Sequence, residues 1–360
     1  MSDDITPVTR SPVTAPARIY ADPAVYALER RTIFAANWQF LGHESDLAEN
    51  RAWRADVLVG YPIVVVRGDD EILRGFHNVC RHRAGPLVPT EAGICDGHLT
   101  CQYHGWKYML DGRLRMARDF GAAQNGQADF DPREFGLFPV KVATWRGLVF
   151  VGLGEDLPDL DEMLKPLDAR LGAVDWSGFG VGLRRSHILH CNWKTYVENY
   201  LEGYHVPIVH PGLDAEIQAD KYRVEVDGRV VLHDAPPRSP DAVYDGVWGW
   251  LWPNIAINVY QKGLMIERMS PVSHDRTRLD YVYLTPGGEP VAAETLAMSD
   301  QVTAEDKWIT EQVQENLNAG IYHTGRLSPK HETAIAAFQD WVQAALESPG
   351  AEPIATGGAK

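Results

Sequence analysis

The chain has 360 residues, 45% hydrophobic and 23% charged, a balance that describes a globular protein long enough for two domains. Asp and Glu number 49 against 34 Lys and Arg, and the formal charge of −15 argues against a nucleic-acid or anionic-membrane surface. No apolar run approaches the ~18 residues that span a bilayer, residues 1–9 are unlike a secretory signal, and four cysteines are too few for a disulfide scaffold, so a reducing cytoplasm is the expected address.

The first eighteen or so residues, rich in Ser, Thr, Pro and Ala, read as a loose arm. Residues 24–38 carry Val25, Leu28, Ile33 and Trp38 among charges, the pattern of a helix. Arm and helix form a segment, 1–38, expected to pack on the second domain. From residue 39 to 154 short β-rich runs follow, at 61–66, 72–76, 140–143 and 148–151. Gly, Asp and Pro punctuate them, predicting a small all-β domain. An acidic, proline-ended stretch at 154–158 reads as a linker. Beyond it lie helices over 162–171 and 192–205, a block of strands over 221–284, and amphipathic helices over 301–317 and 332–346. Strands then helices, without βα alternation, predict an α+β domain with an antiparallel sheet over 155–352. Residues 353–360 are expected to be a disordered tail.

Two short clusters carry metal-ligand chemistry. Cys80-Arg81-His82 is followed after eighteen residues by Cys101-Gln102-Tyr103-His104. Thiolate and imidazole ligands suit zinc or an iron–sulfur cluster. Zinc fingers segregate their Cys pair from their His pair, whereas here each cluster offers one of each. Two such loops can give two thiolates to one iron and two imidazoles to another, the ligation of a Rieske [2Fe–2S] centre. A structural zinc site is the alternative for the same four residues. Cys95 and His98 fall outside the paired motif, and Cys191 reads as a small buried hydrophobe.

A second constellation lies at 192–210. Glu198, Glu202 and His205 are spaced four and three apart, which puts them on one face of a helix. Pro207 forces the chain extended after it, and His210 can turn back beside the helix end. Two His and one carboxylate are the usual ligands of a non-haem Fe(II) that activates O₂. On the 301–317 helix, Val302, Ile309, Val313 and Leu317 define an apolar stripe, and Asp306 projects from it roughly 40° from Val302. A carboxylate on a buried face needs a partner or a metal. Asp306 is therefore the expected third ligand, with Glu305 at the stripe's edge the weaker choice and an arginine pairing the alternative role.

With both constellations in view, the chain resembles the Rieske non-haem iron oxygenases, catalytic (alpha) subunit, over nearly its whole length. Cys-x-His followed by Cys-x-x-His-Gly-Trp106 is similar to their Rieske domain, and neither loop has the extra cysteine of respiratory Rieske proteins. The resemblance implies a Rieske domain followed by a helix-grip-like catalytic domain. It implies a [2Fe–2S] cluster on Cys80, His82, Cys101 and His104, and a mononuclear Fe(II) on His205, His210 and Asp306. Glu202 matches an acidic residue, Asp in most members, that bridges between this iron and a neighbouring subunit's Rieske histidine. A homotrimer is implied. No complete Gly-x-Gly-x-x-Gly is present, so electrons are expected from a separate NAD(P)H-dependent reductase or ferredoxin.

Asn192-Trp-Lys, Glu198-Asn-Tyr-Leu-Glu202, Tyr204-His205-Val-Pro, Trp252-Pro-Asn254 and Glu305-Asp306…Val313-Gln314 are most similar to the choline and carnitine monooxygenase branch. That branch hydroxylates or demethylates quaternary ammonium compounds. Trp248, Trp250 and Trp252 alternate on one strand face and are expected either to line an apolar or cation-accepting pocket or to form an aromatic core stripe. The alternative substrate class is an aromatic ring. Outside the oxygenases, a Rieske electron carrier and a zinc-stapled binding module remain as readings.

Overall fold

The computed structural model describes residues 12–120, 130–172 and 174–348. The expected tail at 353–360 and most of the N-terminal arm lie outside these. No helix among the described residues is long and apolar enough to cross a membrane.

A short turn α1 (Arg18–Ala21) and helix α2 (Pro23–Glu29) open the described chain, and α2 runs on as a π-helical turn, Arg30–Phe34. Asp22 caps α2 through Ala24 N–H, with Pro23 in the first turn where its missing N–H costs nothing. The sequence pattern extends the helix to residue 38. Instead Trp38 begins a strand, its indole N–H donating to Pro158 O at 2.9 Å.

The next ten strands are β1 (Trp38–His43), β2 (Ala52–Leu58), β3 (Tyr61–Arg67), β4 (Leu73–His77), β5 (Ala92–Ile94), β6 (His98–Thr100), β7 (Lys107–Met109), β8 (Leu114–Met116), β9 (Pro139–Trp145) and β10 (Leu148–Gly152). Seven form an antiparallel sheet in the order β1-β10-β9-β4-β3-β2-β5. Ile63, Val65, Val149 and Val151 fill its interior, as alternation along each strand requires. Strands β6, β7 and β8 make a separate three-stranded sheet. Its core holds Cys80, Cys101, Trp106 and Tyr108.

Helix α3 (Leu160–Leu171) leads to a second seven-stranded antiparallel sheet. Its strands are β11 (Phe179–Leu189), β12 (Arg223–Asp227), β13 (Val230–Asp234), β14 (Tyr244–Leu251), β15 (Ile255–Tyr260), β16 (Gly263–Ser273) and β17 (Arg276–Pro286), ordered β11-β17-β16-β15-β14-β13-β12. Both faces are covered. Leu264 and Ile266 pack with α3, Phe40 and Phe150, while Met265 and Met269 face the opposite cluster. That cluster includes helices α4 (Trp193–Tyr200), α5 (Val206–Val209), α6 (Pro211–Glu216) and α8 (Thr333–Glu347), with α7 (Ala293–Asn318) packed against it through Leu296, Val302 and Leu317. Phe34 also packs there, edge-on to Trp193, and the fully buried Lys194 pairs with Glu29. The opening segment is thus held to the second sheet's helices.

Two details of the helical side differ from the sequence reading. The helix predicted over 192–205 stops at Tyr200, and Glu202 turns its carboxylate onto the backbone N–H groups of Tyr204 and His205. A side chain that offers acceptors to nearby N–H groups competes with the helix for them. Gly203 makes the break possible, because a Cβ there would lie 2.6 Å from the Tyr222 ring. Pro207 does not extend the chain: it sits in the first turn of α5.

Candidate metal centres

The two cysteine–histidine loops are built alike. Cys80 N–H donates to Gly85 O at 2.9 Å and Cys80 O accepts from Ala84 N–H at 3.0 Å. Cys101 repeats the pattern with Trp106 O at 2.8 Å and Gly105 N–H at 3.0 Å. In both, the residue four after the cysteine has positive φ, +54° at Ala84 and +73° at Gly105. Glycine takes this conformation freely, while alanine at 84 accepts about 1–2 kcal/mol of strain. The repeated turn aims a thiol and an imidazole from each loop at common ground. His82 and His104 rings meet at 4.6 Å, and His82 stacks on Trp106 at 4.9 Å, 5° from parallel.

The donor chemistry fits an iron–sulfur cluster. Both thiols are buried and unpaired. The Nδ1 atoms of His82 and His104 are buried without a hydrogen-bond partner, an expense that a metal bond would remove. Tyr108 Oη lies 3.1 Å from Cys80 Sγ. Because that oxygen already accepts Arg81 N–H at 3.1 Å, its own hydrogen is free for the sulfur. Cys95 stands apart, its Sγ against Arg51 O, and Cys191 is buried in the second core.

His205, His210 and Asp306 converge from two helices. His205 immediately precedes α5, His210 caps its far end, and Asp306 comes from the middle of α7. His205 Nε2 is 3.1 Å from His210 Nε2, which is 2.9 Å from Asp306 Oδ1, and the third side is 3.9 Å. Ligands about 2.1 Å from one ion and at right angles around it lie roughly 3 Å apart. Two sides of the triangle match that spacing and the third is wider, a set of three atoms close enough together to share one ion.

Each imidazole is oriented from behind. Glu202 Oε1 takes His205 Nδ1 at 2.5 Å, and Glu305 Oε2 takes His210 Nδ1 at 2.7 Å. A carboxylate can only accept, so both rings keep hydrogen on Nδ1 and free Nε2 toward the common point. Burial pushes the His210 imidazolium down, but Asp306 and Glu305 carry it above its ordinary value, so the cluster attracts positive charge. Asn199 Nδ2 donates to Asp306 Oδ1 at 2.6 Å.

Glu198 does not join this cluster. It accepts from Tyr20 Oη at 2.6 Å and Gln339 Nε2 at 3.0 Å, and burial pushes its carboxyl up to about 7. The helix break at Leu201 separates it from Glu202, so the three residues predicted on one face do not share it. The buried face of α7 also differs from the predicted stripe. Thr295, Ser299, Thr303, Asp306, Thr310 and Gln314 are buried, while Val313 is 40% exposed.

A cavity of about 80 Å³ opens beside the three ligand candidates. Tyr200, Tyr222, His233, Tyr244, Trp248 and Asn258 line it together with them. Trp248 lines the cavity, but Trp250 and Trp252 do not. They share its strand face yet lie under α8, Trp250 stacked on Trp341 and both edge-on to Phe338. Sequence reasoning missed Asn199, Glu305 as the support for His210, and the Tyr222–His233 wall. Only Glu305, next to Asp306, left a sequence signal.

Known proteins resemble this chain over the same regions. Residues 37–126 match the Rieske [2Fe-2S] domain family. Residues 177–234 and 214–348 match the ring hydroxylating alpha subunit catalytic domain. The carnitine monooxygenase oxygenase subunit of Escherichia coli (strain K12) is 32% identical over 328 residues, covering 86% of this chain and 85% of that protein. Chloroplastic choline monooxygenase of Beta vulgaris is 30% identical over 353 residues, 93% of this chain and 77% of that one. The solved structure of the quaternary ammonium Rieske monooxygenase CntA aligns with a TM-score of 0.84 at 27% identity, over 94% and 96% of the two chains. A naphthalene 1,2-dioxygenase structure shares the fold at 20% identity and a TM-score of 0.77. The chain belongs to the Rieske non-haem iron oxygenases, as an oxygenase alpha subunit with a [2Fe–2S] domain and a catalytic domain of the kind that binds mononuclear iron.

Proposed function

We propose that Cys80, His82, Cys101 and His104 hold the [2Fe–2S] cluster, that His205, His210 and Asp306 hold the mononuclear iron, and that the enzyme oxidises a substrate bearing an N-methylated ammonium group. The observation that carries the ligand assignment is the opposite treatment of two pairs of imidazoles. At His82 and His104, Nδ1 is buried and empty-handed. At His205 and His210, Nδ1 is occupied by a carboxylate and Nε2 is turned inward.

When bound, the cluster supplies single electrons and the ferrous ion a site for O₂. The chain's own residues do the positioning. Glu202 and Glu305 fix the rings of His205 and His210, and Asn199 fixes Asp306 Oδ1. Trp248, Tyr222 and Tyr244 offer aromatic surface to an ammonium group, for which ring faces are an attractive partner. The similarity to carnitine and choline monooxygenases supports that substrate class.

Further support bears on assembly. Tyr204 and Ile208, flanking the iron ligands, are 59% and 84% exposed, and Tyr103, between Cys101 and His104, is 56% exposed. Exposed aromatic and aliphatic side chains beside two electron-transfer groups suit faces that meet between copies of the chain. We place the enzyme in a homotrimer in which Glu202 bridges toward a neighbour's Rieske histidine, with electrons from a separate reductase or ferredoxin. Four unpaired cysteines suit a reducing cytoplasm.

Iron and sulfide analysis with electron paramagnetic resonance of the reduced protein tests the assignment. His205→Ala should keep the Rieske signal and lose the non-cluster iron, and His82→Ala should lose the Rieske signal. A colourless zinc protein, or full iron content in His205→Ala, would refute it.

A further inference from the structure

We infer that the cavity selects an organic cation that carries no carboxylate: a choline-like amino alcohol, in preference to a carnitine-like zwitterion. This rests on the ammonium-oxidising reading and narrows it.

Among the described residues that line the cavity there is no Lys or Arg. The one lining histidine outside the ligand cluster, His233, cannot stand in for them. Its Nδ1 lies 2.9 Å from Tyr222 Oη, and burial pushes its imidazolium down to about 3, so it is neutral near pH 7. The charges present are negative. Glu202 and Asp306 line the cavity and Glu305 lies behind His210. Glu267, buried near the lining residue Asn258, is pushed by burial up to about 8, so it is mainly neutral near pH 7 and supplies no counter-charge to a carboxylate.

An ammonium group meets a favourable wall here. Tyr222 and Trp248 stack at 5.9 Å, Tyr244 meets Trp248 edge-on at 5.5 Å, and Glu202 and Asp306 share the same lining. A substrate carboxylate meets no counter-charge, and a buried unpaired charge is strongly disfavoured. A hydroxyl needs only one neutral hydrogen-bond partner. Asn258 lines the cavity, and its Oδ1, which accepts from Tyr200 Oη at 3.0 Å, keeps a second lone pair for a hydroxyl.

Calorimetric binding to the iron-loaded protein under nitrogen tests this with choline, L-carnitine, γ-butyrobetaine, and 3,3-dimethylbutan-1-ol, the uncharged isostere of choline. The expected result is choline at least tenfold tighter than each of the other three. Leu213→Lys, which places a cation in the cavity wall, should shift the ratio toward carnitine at least tenfold. If a zwitterion binds wild-type protein as tightly as choline, the charge selection is overturned while the ammonium reading stands. If the isostere binds as tightly, the cation is irrelevant. If none of the three ammonium compounds binds, both the selection and the reading beneath it fall.

Discussion

Glu305 holds His210: its Oε2 lies 2.7 Å from Nδ1, on the far side of the ring from the point where Nε2 meets Asp306. Adjacent acids on one helix thus divide the work, Asp306 turned to the ligand triangle and Glu305 to the support of its neighbour. Glu305→Gln should keep the Rieske signal and weaken the mononuclear iron about 10–100-fold, the usual effect of losing such a support. Iron retention during dialysis against a graded chelator measures it. Unchanged retention would mean that the ring is held by other groups.

The hydrogen bond available from Tyr108 Oη to Cys80 Sγ should stabilise the electron-rich, reduced cluster. In Tyr108→Phe the cluster potential should fall by roughly 40–60 mV, taking about 1 kcal/mol for the lost bond and 59 mV per factor of ten. A dye-mediated redox titration reads this directly. An unmoved potential would argue against Cys80 as a cluster thiolate.

The two β-sheet regions are joined by buried ion pairs. Arg268 on β16 pairs with Asp56 on β2 and with Asp280 on β17 at 2.7 Å, and donates to Phe40 O at 2.7 Å. Burial would raise the Asp56 carboxyl, but Arg268 and Arg278 hold it down at about 2. A carboxylate whose folded value lies below its unfolded value near 3.9 stabilises the fold above that pH. The contribution, about 2 kcal/mol, is lost as pH falls from roughly 4 to 2. Asp56→Asn should cost about 3–5 kcal/mol in urea unfolding at pH 7. That deficit should shrink at pH 3. A deficit independent of pH would show that packing, not charge, is involved.

Trp248 and Trp250 separate binding from stability. Trp248→Leu should weaken binding of an ammonium compound about 5–30-fold, the worth of roughly 1–2 kcal/mol of cation–π contact, with little loss of stability. Trp250→Ala should instead cost about 3–5 kcal/mol of stability by emptying the space between Phe338 and Trp341. Thermal unfolding beside calorimetric binding distinguishes the two, and the opposite pattern would exchange their roles.

The features legible in the sequence are the local ones. The cysteine–histidine loops carry their ligand candidates within three residues and His205 and His210 lie five apart, whereas the helix break at 201–203 carried no signal that the helical spacing registered. The strand and helix periods marked β3, β4, β9, β10, α3 and α8 to within a few residues, but they left β11 unread, the later strands undivided and the start of α7 at 301 instead of Ala293. What misled were faces buried by hydrogen bonds in place of apolar area. On α7, Thr303 Oγ1 returns to Ser299 O and Thr310 Oγ1 to Asp306 O, both at 2.7 Å, while Tyr281 and Tyr283 meet Thr303 and Ser299. Hydroxyls so satisfied bury at little cost, and a hydropathy wheel cannot register them. Strand alternation placed Trp248, Trp250 and Trp252 on one face, yet periodicity reports the face and not the neighbour above it. Glu198 was misplaced because a side chain–backbone contest at Glu202, invisible to helical spacing, ends the helix first.

On this reading one chain joins an electron-carrying centre to an oxygen-activating iron for oxidation of an N-methylated ammonium compound. A single turnover under ¹⁸O₂ tests it most directly. The iron-loaded protein, reduced without air and given choline, should re-oxidise its Rieske centre and release an aldehyde in which part of the oxygen derives from O₂, because the hydrated aldehyde first formed can lose either the oxygen of choline or the one from O₂; reductive trapping limits exchange with water. Re-oxidation without labelled product from choline or any other N-methylated ammonium compound would contradict the account.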